Sequence, residues 1–289
     1  VREKDARDLA ETRRVAAETA ADEANTQREL AETAAEIAER ENRRAQASSD
    51  FLTHIVWSAE PGEIGRDVTV VEAVRAALPS IDSYARGDAA AESDLRLVVG
   101  QTFRNLGYPE EAYDAFETAA TLAAEAFGES SPQAMWAEIE RADALTVAGQ
   151  VAEARAILDE QEAIYEAALP TADWTDLERD ALRLGLDFAQ ASLLAEEGVY
   201  EPSIELFGRS LATAEARPEL TDPYNLDNAR ANYAITLTYA GLLPEAEAAQ
   251  RAWLERHRPG TLDRHDDDAL FARKRALVQR EPRLAHHVS

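Results

Sequence analysis

Apolar and charged positions divide the chain into two regimes. Over residues 1–58 alanine and opposite charges recur at helical spacing, and no glycine or proline intervenes before Pro61. That pattern predicts one long, charge-rich helix. Its large apolar residues share a heptad register: Leu9, Leu30, Ile37 and Phe51 differ by multiples of seven, with weaker Ala16, Glu23 and Arg44 between them. Three residues further on stand Thr12, Thr19, Thr26 and Thr33, a poor coiled-coil seam. Two readings stay open, a dimeric stalk and a lone solvated helix. Phe51, Leu52, Ile55, Val56 and Trp57 form a denser patch before Pro61-Gly62 ends the helix. Asp67 or Thr69 is the expected cap of the next helix, which runs to about Arg86 with Val70, Val71, Val74, Leu78 and Ile81 on its apolar side. Pro79 lies inside it and should kink or split it.

From about residue 90 the pattern becomes one of paired helices. The first helix carries Leu95, Val98, Val99, Phe103 and Leu106, and the second Ala112, Phe116, Ala119 and Leu122, ending at Phe127-Gly128. Ser131-Pro132 opens the next pair, with proline suited to a first helical turn. Leu145, Gly149, Ala154 and Leu158 mark that pair; Ala191, Leu194, Gly198 and Phe207 the third; Ala234, Leu237, Gly241 and Ala246 the fourth. One phrase recurs: Leu106-Gly107-Tyr108-Pro109-Glu110-Glu111-Ala112, then Ala148 to Ala154, Glu197 to Ser203 and Ala240 to Ala246. Its glycines are 42, 49 and 43 residues apart, and the stretch from Pro170 to Asp176 accounts for the longer step. A fixed period of that size predicts a stacked-repeat protein. The expected divisions are a long charged helix at 1–58, an irregular helical capping unit at 59–90 and repeats over 91–260, comprising 91–128, 132–168, 176–216 and 224–258. Pro259-Gly260 closes the array, and 261–289 holds a polar capping helix at about Asp266–Gln279 and a frayed tail.

Gly100, Phe103, Gly107, Ala112, Phe116 and Ala119 resemble the tetratricopeptide repeat, in which small residues sit where helices cross and large ones fill the adjoining hollow. The fourth pair matches at Ala234, Leu237, Gly241 and Ala246 and departs at Gln250; the second and third are looser, and Ser203 replaces the usual alanine. The period exceeds the usual length of about 34 residues. It is similar to the kinesin-light-chain-like variety, whose inter-repeat loop Phe127-Gly128-Glu129-Ser130-Ser131-Pro132 also resembles. The resemblance implies an all-α fold: a right-handed α-solenoid of about four helix pairs. Upstream, Asp50-Phe51-Leu52, Ala59-Glu60-Pro61-Gly62 and Gly65 to Val70 are similar to a bacterial architecture. There a Hanks-type serine/threonine kinase precedes a membrane span, a charged helix and repeats. This resemblance covers about residues 1–255 and implies a longer parent protein, tethered at the inner membrane, with a kinase domain ahead of Val1.

Composition narrows the partners. The formal net charge is −26, from 56 acidic and 30 basic side chains. Such a surface repels phosphate backbones and anionic lipid, steers basic peptides inward and maintains solubility. Nucleic acid is therefore not an expected partner. The absence of cysteine excludes disulfides and thiolate chemistry and leaves the compartment undecided. No apolar run approaches the ~20 residues of a membrane span, and the charged amino terminus carries no signal-peptide pattern. No phosphate loop, kinase motif or nucleophile–base arrangement is present, so no catalytic role and no cofactor are expected. His54 and His257 stand alone, and His286-His287 lie in the tail. His265 adjoins Asp266-Asp267-Asp268, which reads as an acidic helix amino terminus and not as a metal site.

In tetratricopeptide arrays the first helices line a concave groove. The resemblance places there Gln101, Arg104 and Asn105; Trp136, Ile139 and Asp143; Phe188 and Ser192; and Asn228, Asn232, Ile235 and Tyr239. Asparagine amides can clamp an extended backbone, and aromatic residues supply anchor pockets. The same aromatics could instead pack between helices. A clamp for a carboxylate needs several groove cations, and only Arg104 stands in such a position. The expected ligand is a neutral or basic extended segment, and the expected role is protein–protein interaction as the sensor or scaffold region of a larger signalling protein. Two other roles stay open: assembly through a homodimer of residues 1–58, and small-molecule sensing in the solenoid's inner cavity.

Overall fold

Residues 2–58, 69–221 and 223–257 are described by a computed structural model. The expected helix cap at Asp67, the close at Pro259-Gly260, the capping helix at Asp266–Gln279 and the tail lie outside these residues. The chain divides into two compact units, Val1–Gly87 and Asp88–Ser289. Among the described residues the regular structure is entirely helical.

In the first unit, α1 (Arg2–Ser58) is uninterrupted over 57 residues, about 85 Å at the usual rise. Its charges pair along its own surface: Arg28 with Glu32 at 2.8 Å and Arg44 with Glu41 at 2.7 Å. Each such pair contributes only a few tenths of a kcal/mol. The heptad positions Leu30 and Ile37 are 60% and 55% exposed, whereas Phe51 is fully buried. α1 and α2 (Val70–Ala77) pack together, and α3 (Ile81–Ala85) also contacts α1. The Phe51 ring meets Tyr84 edge-on at 5.7 Å. Thr69 starts α2 with a capping box: the Glu72 amide donates to Thr69 Oγ1 at 3.3 Å, and the Thr69 amide donates to Glu72 Oε2 at 3.0 Å. Val70 does not join the buried side, because at the first helical position it is 53% exposed. Pro79 splits the segment as its missing donor requires, through a 3₁₀ turn at Leu78–Ser80.

The second unit consists of antiparallel pairs: α4 (Ala89–Asn105) with α5 (Pro109–Phe127), α6 (Pro132–Val147) with α7 (Val151–Ala168), α8 (Asp176–Glu196) with α9 (Tyr200–Ala216), and α10 (Pro223–Tyr239) with α11 (Leu243–His257). Contact also runs from pair to pair, through α5 to α6, α7 to α8 and α9 to α10, and between the first helices α6, α8 and α10. That nearest-neighbour pattern is a solenoid. The recurring phrase is the turn within each pair. Gly107, Gly149, Gly198 and Gly241 take φ of 81°, 77°, 77° and 79°, open to glycine without strain. Each turn makes the same two bonds: Gly107 N–H to Arg104 O (3.0 Å) and Tyr108 N–H to Phe103 O (2.9 Å) in the first, and Gly241 N–H to Thr238 O (3.1 Å) and Leu242 N–H to Leu237 O (2.9 Å) in the fourth. This is the Schellman motif, which satisfies the last carbonyls of one helix and sets the direction of the next. Leu106, expected on the apolar face, sits in this turn and is 41% exposed.

Helix crossings explain the small residues. A Cβ on Gly100 would lie 2.5 Å from Phe116 Cε1, so α4 and α5 approach closely only because Gly100 has none. Ser203, where the other pairs have alanine, donates its hydroxyl to the Ala191 carbonyl at 2.7 Å and is fully buried. Ser131 and Thr175 cap α6 and α8 from their side-chain oxygens. One core joins α6, α7 and α8 through Met135, Leu145, Leu158, Tyr165, Leu182 and Leu186.

Candidate functional site

The first helices of all four pairs contribute to one pocket that opens to solvent. Arg104 comes from α4; Trp136, Ile139, Glu140 and Asp143 from α6; Leu184, Gly185 and Phe188 from α8; Asn225, Asn228 and Ala229 from α10. A wall from outside that set is added by Ser210, Leu211 and Ala214 of α9, by Leu220 of the following 3₁₀ turn and by Thr221 just after it.

Gly185 shapes the middle of the pocket, because its hypothetical Cβ would fall 2.9 Å from Trp136 Cζ3. The indole therefore lies against the α8 backbone while remaining half-buried. Phe188 is also half-buried, and its ring meets the buried Phe207 edge-on at 5.6 Å. Both aromatics pack on a neighbouring helix and face the pocket, so the two roles are not exclusive.

The α4–α6 end is charged. Arg104 Nη1 is shared between Glu140 Oε2, in a very short contact, and Asp143 Oδ2 at 3.2 Å. Gln101 Nε2 donates to Glu140 Oε1 at 3.4 Å. The side-chain exposures are 16% for Arg104, 7% for Glu140 and 14% for Asp143. Burial pushes the Glu140 carboxyl above its usual range against the pull of Arg104, and the neighbouring Asp143 charge adds to the rise. Burial likewise raises Asp143 against the same guanidinium. For Arg104 burial acts downward, but its two carboxylate partners raise it on balance. The guanidinium also stands 5.9 Å from the Phe116 ring centroid, which links this end of the pocket to the α4–α5 crossing.

Of the residues assigned to the groove from sequence, Arg104, Trp136, Ile139, Asp143, Phe188 and Asn228 meet in this pocket. The others do not line it. Gln101 serves Glu140, and Asn105 is exposed near the first turn. Ser192 Oγ is buried with no hydrogen-bond partner. Asn232 is half-buried, and its carbonyl accepts from Thr236 at 2.8 Å. Ile235 is 43% exposed, and Tyr239 stacks on Tyr200 at 6.1 Å. Glu140 and the α9 wall are not visible to a reading confined to groove positions. Glu140 stands on the next first helix, 36 residues after Arg104 and six short of the 42-residue repeat, so no repeat spacing points to it.

A second polar network joins α7, α8 and α9. Asp187, 3% exposed, is gripped by both Arg183 (2.8 Å) and Arg209 (2.6 Å), and Arg183 also binds Glu162 through both nitrogens at 2.7 and 2.8 Å. Among the described residues no group of acidic and histidine side chains is placed to hold a metal ion, and no helix is long and apolar enough to cross a membrane.

No family model and no curated protein matches the chain. A solved structure, titled as a Podosopora anserina putative kinesin light chain with nearly identical TPR-like repeats, is 18% identical, with a TM-score of 0.43; the match spans 73% of this chain and 99% of that one. Agreement of that size leaves the assignment with the helix packing itself: repeated Schellman-turned pairs in which each second helix packs on the first helix of the next pair. Over its described residues the second unit is an all-α solenoid of tetratricopeptide-like helix pairs.

Proposed function

We propose that the Asp88–His257 region is a protein-interaction module that receives an extended partner segment in the pocket lined by α4, α6, α8 and α10. One observation carries this reading: four consecutive first helices supply a single concave site whose middle is aromatic and aliphatic and whose two ends are polar. Apolar walls supply most of the affinity of such sites, and convergent polar groups fix orientation. Helix-pair repeats of this kind generally bind other chains and do not catalyse reactions. The finer assignment, to the sensor or scaffold region of a signalling protein that carries a serine/threonine kinase domain, draws on the sequence phrase around residues 50–70 alone.

The test is capture of short displayed peptides by the full chain, compared with Phe188→Ala and Asn228→Ala, with folding checked by circular dichroism. Peptides held by the wild type and released by both variants support the pocket. Equal capture by all three places the site elsewhere.

A second reading, assembly through α1, is favoured by the exposure of Leu30 and Ile37 on one heptad register. Sedimentation of the full chain over a range of concentrations tests it. A doubling of mass that Leu30→Lys/Ile37→Lys abolishes supports assembly, and a constant monomer mass removes it.

A further inference from the structure

The groove reading leaves the chemistry of the ligand open, and the charge balance at the α4–α6 end of the pocket narrows it. One guanidinium nitrogen, Arg104 Nη1, serves both Glu140 and Asp143. With both carboxylates ionised, that end holds one negative charge more than its cation neutralises. Among the described residues Asp143 Oδ1 accepts no hydrogen bond. The other buried network differs: Arg183 and Arg209 balance Glu162 and Asp187, with only the exposed Glu166 in addition at 4.0 Å. Arg141 and Arg230 also serve more than one carboxylate each, but those carboxylates are 23% to 49% exposed against 7% and 14% for Glu140 and Asp143, so the excess in the pocket is the one most withdrawn from water.

Three classes of segment can be compared. An anionic segment would bring a like charge beside two withdrawn carboxylates and be repelled. A purely apolar segment would cover the excess charge, remove its remaining water and leave it unpaired, which is costly. A cation supplies the missing partner. Trp136, Ile139 and Phe188 lie along the wall from these carboxylates. Aliphatic stems of basic side chains pack on such walls, and aromatic faces attract the charged head.

We propose that this pocket recognises a partner segment carrying a lysine or arginine beside an apolar residue, with Glu140 and Asp143 as the counter-charge for the basic group. The inference rests on the groove reading and adds the class of residue read there. It is consistent with the direction of the carboxyl shifts: burial beside a single guanidinium disfavours two ionised carboxylates, and an arriving cation favours them.

The experiment is selection of a random displayed-peptide library on the full chain, followed by titration calorimetry of the best peptide and of its Lys→norleucine or Arg→norleucine analogue. The expected result is enrichment of peptides with one basic residue next to Leu or Phe, and an affinity about tenfold or more lower for the neutral analogue. Asp143→Asn should bring the two peptides to similar affinity; Glu140→Gln, whose amide oxygen can still accept from Arg104 while its NH2 no longer accepts from Gln101, serves as the second variant should the first fail to fold. Enriched peptides that lack a basic residue, yet are lost with Phe188→Ala, overturn the cation assignment and leave the groove reading standing. Peptides indifferent to Phe188→Ala, or no enrichment at all, overturn both.

Discussion

Replacing Gly100 by alanine sets two known effects against each other. Alanine is better than glycine in a helix interior by about 1 kcal/mol, so propensity alone predicts a gain. At this position the added methyl carbon would lie 2.5, 2.6 and 2.9 Å from three atoms of the Phe116 ring, well inside van der Waals contact. The ring cannot swing into solvent, because Phe116 is fully buried between α4 and α5. Overpacking of this kind costs about 1–3 kcal/mol, and three such contacts on a confined ring place it at the upper end. The expected net effect is a loss of about 1–2 kcal/mol, the difference of the two terms. Phe116→Leu removes the obstructing ring edge at a cost of about 1–2 kcal/mol by itself. The double variant should then be more stable than the sum of the single effects implies, with a coupling of about 1 kcal/mol or more. Urea denaturation followed by both circular dichroism and tryptophan emission gives the four stabilities, and coincident transitions license the comparison. A Gly100→Ala variant more stable than wild type, or additive effects in the cycle, would refute the crossing account.

Further outcomes follow from the charged end of the pocket and from the third helix pair. Arg104→Ala leaves Glu140 and Asp143 without their cation, and the expected loss at neutral pH is about 3–5 kcal/mol by chemical denaturation; a loss below about 1 kcal/mol would mean that water already solvates the pair. In the wild type, burial raises both carboxyls above their unfolded values of about 4.3 and 3.9. Between those values and the elevated folded ones the native state keeps protons that the unfolded chain has released, so this pair makes stability fall as pH rises through that window. The opposite sign holds for Glu162, which the Arg183 hydrogen bonds depress; its contribution is present above about 4.3 and is lost as pH falls through the lowered value. Subtracting the urea midpoints of Glu140→Gln/Asp143→Asn from those of the wild type isolates the first effect, and a difference that rises with pH would contradict it. Ser203→Val removes the donor to the Ala191 carbonyl and adds a branched methyl to a fully buried crossing, with an expected loss of about 1–3 kcal/mol in thermal or urea unfolding, whereas Ser203→Ala removes the same donor without overfilling the site, restores the residue of the other pairs and should lose about 1 kcal/mol or less.

The parts of the fold that depend on one residue's own backbone were readable in the sequence. Glycines at Gly107, Gly149, Gly198 and Gly241 are needed wherever a helix ends in a left-handed turn, so their recurrence marked the array. Pro79 announced its break and Ser131-Pro132 the start of α6, for equally local reasons, while Thr69 was one of two caps the sequence offered for α2. Assignments that depend on a neighbouring repeat fared differently. Arg104 reads in sequence as the groove's lone cation, whereas in the fold it is held by Glu140 and Asp143 from the next first helix. Gln101 reads as a ligand contact and is instead a donor to Glu140. The Ser210–Ala214 wall belongs to a second helix, outside the positions that a groove pattern counts. Nothing at Leu106 or Val70 distinguishes a core residue from one at a helix end, and both are exposed because the termini turn them outward.

The contrast between the two kinds of connection has a practical consequence for engineering. Turns within a pair have fixed length and two fixed backbone bonds, so an added residue there would rotate one helix against its mate. Links between pairs already vary, from Gly128–Ser131 to Leu169–Thr175, and Gly128, Glu129 and Ser130 are exposed. Lengthening such a link costs only about 0.6 kcal/mol per doubling. The Gly128–Ser130 link is therefore the place to graft a fluorescent protein, open a circularly permuted chain or splice in a foreign repeat. The Leu169–Thr175 link suits this less well, because Trp174 rests on Tyr165 at 5.8 Å and ties that loop to the core.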